Sequence, residues 1–331
     1  MFTRKIIDST LKASVRSQAD KSNKNIYYYL KSFRKPYLNI EKLFDFSQTD
    51  VIKKICEKFN IKDIDFGNWT SQTMRYNFTL GLYLALYDLE KVLKFNNNIG
   101  FNKLSIGYGS RGAKRALAHY EPSFDYINIS RERRQDKYPS YDKKQLREYM
   151  SGFGSLAHEY GHFLDYYFGR KSGGFTMALT GGTVTLPPVP ITYSPLKHDF
   201  KFYNDFFYKS IVQNTNNVLR ETMYTIFLKL FMQNNGRPSP YYLRLYKYAR
   251  TGGGKYWIRL NEIWARLFEV YVTYKLRKIN INNKILVAEG KGKYSAEFPS
   301  KKINPVYVTL TELKKVEKDI DKFINNIKTL I

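Results

Sequence analysis

The sequence predicts an α+β fold that is mostly helical. Three observations carry this reading. Thr73–Phe95 keeps apolar residues on most faces of a helix, as a buried core helix does. Two early runs, Lys103–Tyr108 and Tyr126–Ser130, look like strands, the second alternating with period two. Gly, Thr and Pro crowd residues 169–199, where helical spacing lapses and a loop is expected.

Taken in order, residues 1–36 form a basic N-terminal arm, with nine Lys or Arg against Asp8 and Asp20. The arm is expected to be helical over Ile6–Arg16. Residues 37–99 form a helical region with a short pattern at Asp50–Phe59. Arg131–Lys144 is polar and basic, a surface loop. A helix should run from about Lys144 to Phe168 and stop at Gly169. Helical patterns return over Phe200–Met232 and Lys255–Lys278, with His198 left in a polar loop. Lys284–Ala288 reads as a strand, and Thr309–Leu330 as an amphipathic helix capped by Thr309 or Thr311.

Composition narrows the classes. The chain has 331 residues, of which 43% are hydrophobic, enough for a sizeable core. Its single cysteine, Cys56, rules out an internal disulfide and a cysteine-built zinc site, and fits a reducing compartment. No apolar stretch is long enough to span a bilayer, and charges interrupt the N-terminus before a signal-peptide core can form. The expected location is therefore cytoplasmic or virion-associated. The net charge of +26 favours nucleic acid or another polyanion as partner, or serves solubility alone.

The chemistry concentrates at His158-Glu-Tyr-Gly-His162. Two of the four histidines of the chain stand four residues apart on a predicted helix, so both imidazoles share one face. That spacing suits two bonds to one zinc ion, and Glu159 then stands beside the open side of the metal as general base. Asp165 is placed to take the free ring nitrogen of a ligand histidine, or to cap the helix. Gly161 costs roughly 1 kcal/mol in a helix interior relative to alanine, which points to close approach by a backbone or a substrate. A third ligand is required. Glu262 is the leading candidate, with Glu269 as alternative ligand or neighbour of one. Both lie with Arg266 along one stripe of an apolar helix, where a carboxylate needs a metal or an arginine partner.

Three blocks resemble the zincin-like large polyvalent protein-associated domain of phage and mobile-element proteins. They are Gly109–Pro122 with the strand after it, Gly152–Asp165, and Glu262–Val272. The resemblance covers roughly residues 100–275, and residues 281–331 remain as a C-terminal extension. It implies a zincin-like metallopeptidase domain over 100–280, with a small sheet over the zinc helix. It also implies an HExxH site of the kind whose third ligand is glutamate. Asn261-Glu262 is similar to the third-ligand helix of thermolysin-like enzymes, although Arg266 stands where those carry Asp. In such folds an edge strand pairs with extended substrate, and Tyr126–Ser130, with Tyr126 and Asn128, is the expected one. In the first block His119 is a candidate to stabilise an oxyanion and Arg111 to bind an anionic group.

The function that follows is zinc-dependent cleavage of peptide bonds in a protein substrate with an extended segment. The alternative is a basic nucleic-acid-associated or virion structural protein with a zincin fold and little proteolysis.

Overall fold

A computed structural model describes residues 33–38, 51–68, 70, 72–111, 117–130, 152, 154–188, 198–287 and 304–331. The helix expected over Ile6–Arg16, the basic loop after Arg131 and residues 144–150 lie outside them. The fold is α+β and mostly helical, with two small sheets. It divides into two compact units, one of residues 1–159 and 275–288, the other of 160–274 and 289–331.

The first unit is built on a four-stranded sheet. Strands β2 (Asp63–Phe66), β3 (Ser105–Tyr108) and β5 (Tyr126–Ile129) are parallel, and β4 (Ala118–Glu121) runs antiparallel to β5, in the order β2-β3-β5-β4. Register sorts the side chains by chemistry. Asp63, Ser105, Tyr126 and Glu121 align across the strands, and Asp65, Gly107, Asn128 and His119 form the next row on the same face. The other face carries Ile64, Ile106, Ile127 and Tyr120, then Phe66, Tyr108, Ile129 and Ala118. Between α1 (Val51–Phe59) and β3 lies α2 (Gln72–Leu93), whose Phe78 stacks on Tyr108 at 4.7 Å and meets Phe66 edge-on. As the sequence predicts, α2 is buried along most of its described length.

This topology corrects one expectation. Tyr126–Ser130 is not an edge strand: β5 lies inside the sheet, and Tyr126 and Asn128 are buried. The edge on that side is β4, which carries the site candidate His119. Gly107 is the reason Tyr126 fits, because a Cβ there would overlap the tyrosine hydroxyl.

A second pairing closes the unit. β1 (Arg34–Lys35) is antiparallel to β6 (Asn282–Asn283), so the strand expected over Lys284–Ala288 is shorter and earlier, with Lys284–Leu286 in a turn. A buried polar chain ties this pair to the core. Arg34 donates twice to Asp88 of α2, at 2.7 Å each, and Asn283 Nδ2 donates to the same carboxylate at 2.8 Å. Asn283 Oδ1 accepts from the amides of Ile285 and Leu286. The carbonyls of those two residues take the amides of Gly154 and Ala157, at 2.7 and 3.1 Å. The orphan donors at the start of α3 (Leu156–Lys171) are thus partly met by backbone rather than by a capping side chain.

The second unit is helical. It holds α4 (His198–Phe207), α5 (Val218–Phe231), α6 (Pro240–Tyr248), most of α7 (Leu260–Lys278) and α8 (Leu310–Lys328). His198 therefore opens a helix rather than sitting in a loop. Thr309 caps α8 in a reciprocal capping box with Glu312, as the sequence predicts. Trp264 of α7 packs edge-on against Phe323 of α8 at 5.0 Å, and Arg244 of α6 forks onto Glu312. Arg220 is fully buried, donating to Ser172 Oγ and to the carbonyls of Ile211 and Thr176, so it holds the loop after α3.

Helix α3 departs from expectation at both ends. Gly152 and Gly154 have positive φ in a turn, so the helix begins at Leu156, and the described residues before it, 152, 154 and 155, are not helical. Gly169 does not stop it. The helix runs on to Lys171, and a Cβ at 169 would stand 2.3 Å from the Met177 carbonyl and 2.6 Å from Ala178 Cα. Gly169 serves close approach of the returning loop, while Gly173, with φ +75°, makes the turn after the helix.

Candidate metal centre

Two helices supply the centre, and glycine sets their spacing. A Cβ on Gly161 of α3 would lie 3.2 Å from Ala265 Cα and 3.3 Å from Phe268 Cβ of α7, so backbone meets backbone where they cross. Trp264 Nε1 donates to the Gly161 carbonyl at 3.0 Å and fixes the crossing. The close approach expected of Gly161 is made by a helix of the same chain.

The loop after α3 locks the start of α7. The amides of Leu260 and Asn261 donate to the carbonyls of Val184 and Gly182. Asn261 Oδ1 accepts from the Glu262 amide at 2.9 Å, and its Nδ2 donates to Tyr166 Oη of α3 at 3.3 Å. The other end of the loop is held by Asp165. Its two carboxylate oxygens accept from the Thr180 amide at 2.9 Å and from Thr180 Oγ1 at 2.7 Å. The hydrogen bonds of Asp165 to the loop thus replace a helix-capping role.

One cluster of metal-capable side chains emerges among the described residues: His158, His162 and Glu262, with one ligand atom of each within 4.8 Å of the others. His162 Nε2 stands 3.5 Å from Glu262 Oε1. Two ligands about 2.0–2.1 Å from a tetrahedral zinc stand about 3.3–3.4 Å apart, so this pair already has the width of one tetrahedral edge. His162, Glu262 and Glu159 are buried, and His158 is half-buried. A donor set of two imidazoles and one carboxylate suits zinc.

Arg266 lies one turn beyond Glu262. Its Nη1 is 3.9 Å from Glu262 Oε2, while Nε and Nη2 donate to the carbonyls of Val306 and Trp257. It is buried against the Trp257 ring and presents a fixed positive charge to the carboxylate. Glu269 is buried too, but its carboxylate accepts from Tyr307 Oη at 3.2 Å and is not part of the cluster.

The first sequence block forms a separate ensemble on the sheet of the first unit. Glu121 binds Arg111 Nη1 at 2.5 Å and His119 Nε2 at 3.0 Å. Burial alone would raise the Glu121 carboxyl, but these two hydrogen bonds outweigh it and hold the group below its ordinary value. Arg111 also lies over the Tyr126 ring at 4.1 Å. His119 and Arg111 are thus paired with Glu121, and neither belongs to the metal cluster.

Asp165 gives a pH prediction. Burial raises its pKa from 3.8 to about 6, against the opposing pull of the Thr180 hydrogen bonds and the charges of His162 and Arg220. The folded state then holds a proton that the unfolded chain has released. Stability contributed by this site is present below the unfolded value of 3.8 and falls as pH rises towards 6. Asp165→Asn keeps an acceptor for the Thr180 amide and never ionises. Urea unfolding in chelator should therefore show the variant gaining about 2 kcal/mol on wild type between pH 4 and pH 7. Parallel pH curves for the two proteins would refute the assignment.

Residues 248–330 match the family described as large polyvalent protein-associated domain 1. The match spans about a quarter of the chain. It contains the last turn before α7, all of α7 with Glu262, and α8; His158 and His162 lie before it. The final helix, expected to fall outside the resemblance, is inside the matched segment. No curated protein and no solved structure matches the chain.

Thr180 and Arg220 were not legible in the sequence. Thr180 stands in a Thr-Gly-Gly loop without periodicity, and Arg220 falls within a helical run where a surface position is the default for arginine.

Proposed function

We propose that the chain is a zinc-dependent metallopeptidase of a phage or mobile-element protein, acting on an extended segment of a protein substrate. The observation that carries this reading is the convergence of His158, His162 and Glu262, with Glu159 on the same helix turn as His158. A site serving structure alone has no use for a buried carboxylate in that position. The family match at 248–330 supports the association with large polyvalent proteins and is silent on chemistry.

In this reading His158, His162 and Glu262 hold the metal. The chemistry zinc supplies when bound is Lewis-acid activation of water and of the scissile carbonyl. Glu159 accepts the proton of the attacking water and hands it to the leaving amine. Arg266 steadies the outer oxygen of Glu262, so that the inner oxygen faces His162. Thr180, through Asp165, holds the loop that positions the start of α7.

Elemental analysis of purified wild type and Glu262→Ala tests the ligand set. Wild type should carry about one zinc per chain, and the variant should lose it on dialysis against a weak chelator. A folded wild type without metal would refute the reading. Zinc held equally by Glu262→Ala would remove Glu262 from the site.

A further inference from the structure

From Pro240 to Asn261 the chain carries five Lys or Arg and no Asp or Glu. Arg244 is taken by Glu312. Lys247, Arg250 and Lys255 are exposed and form no ion pair among the described residues. They sit on an unusual piece of backbone. Helix α6 ends in a π-helical turn, Ala249–Gly253, followed at Lys255–Ile258 by a 3-10 turn. Gly252 has φ +126° and Gly254 φ +75°, conformations that favour glycine, and a Cβ built on either meets nothing within 4 Å. The backbone here is bare. Beside it stands a group of aromatic rings: Tyr256 is 43% exposed, meets Trp257 edge-on at 5.3 Å, and has the Arg259 guanidinium 5.7 Å from its centroid. Tyr248 supports Trp257 from the other side of the turn, at 6.0 Å.

Cations with no ion pair among the described residues, open glycine backbone and a braced, exposed ring are the parts a single strand of nucleic acid requires. Phosphates take the cations, close approach takes the glycines, and a base stacks on the ring. We propose that residues 246–259 form a binding site for single-stranded nucleic acid, independent of the metal centre and of the peptidase reading. An anionic membrane or an acidic protein would use the lysines but has no need of Tyr256.

The test is fluorescence anisotropy of the full chain with labelled oligo-thymidylate and oligo-uridylate of about 20 nucleotides, across a salt series. Lys247→Gln/Arg250→Gln/Lys255→Gln is compared with Lys314→Gln/Lys315→Gln/Lys318→Gln, which removes the same charge from exposed positions of α8. Thermal melts confirm that both fold. The loop triple should weaken binding at least about tenfold and flatten the log–log salt slope by about 2, from three lost phosphate contacts. The α8 triple should change both much less. Tyr256→Ala should weaken binding about fivefold or more with the slope unchanged. Equal losses from the two triples would overturn the proposal by reducing the effect to net charge. So would unchanged binding by Tyr256→Ala, or phosphatidylserine vesicles bound more tightly than either oligonucleotide.

Discussion

Glu159→Gln is expected to keep its zinc and to lose about 10²- to 10⁴-fold in peptide hydrolysis. The substitution preserves shape and removes the basic oxygen. Glu159 is on the first turn of α3 and outside the ligand cluster, so metal content should stay at the wild-type level. The contrast with Glu262→Ala is what makes the pair informative: one variant is loaded and inactive, the other empty. The assay is cleavage of a proteome-derived peptide library by zinc-loaded protein, read by mass spectrometry. Cleavage by Glu159→Gln at the wild-type rate would remove the general base from the mechanism. A zinc-loaded wild type that cleaves nothing would favour a metal site serving architecture, and the nucleic-acid surface would then be the better guide to function.

Asp88→Ala should be the most damaging substitution in the first unit, at about 3–5 kcal/mol. Asp88 and Arg34 are both buried, and the alanine leaves the guanidinium without its counter-charge. It also removes one of the two acceptors of Asn283 Nδ2, the other being the Leu84 carbonyl, and so loosens the side chain whose Oδ1 organises the turn before α3. Urea unfolding measures the loss. Arg34→Met/Asp88→Leu is the control, because replacing both ions with apolar groups should recover most of it. A loss below about 1 kcal/mol for Asp88→Ala would show that the pair is solvated rather than buried.

The residues of the metal cluster were legible because their signal is local. His158 and His162 announce themselves by a spacing, and Glu262 by a carboxylate on an apolar helix face. The long helices were legible for the same reason, as α2 and α8 show. What sequence reading lost were short elements set by distant partners. The Asp-Ile-Asp-Phe run of β2 does alternate with period two, but four residues rarely stand out beside a helical neighbourhood, and its pairing with β3 is decided forty residues away. β4 was hidden because its outward row, His119 and Glu121, looks like site chemistry rather than strand. The inside position of β5 is a matter of topology, which the alternation of Tyr126–Ile129 does not encode. Gly169 reads as a terminator in one dimension, and only the returning chain at Met177 shows that it is a clearance.

The bare crossing at Gly161 acts as a gauge. Because Ala265 and Phe268 of α7 rest directly on Gly161 of α3, the gap from His162 to Glu262 has little room to absorb a misfit. A methyl group at 161 would force its neighbours to give by a few tenths of an ångström. That is the scale separating zinc–ligand bonds of about 2.0–2.1 Å from calcium–oxygen bonds of about 2.3–2.6 Å. In the proposed zinc site the choice of ion would then rest partly on a residue that never touches it, and bulk at position 161 is the handle that tests this without altering a proposed ligand.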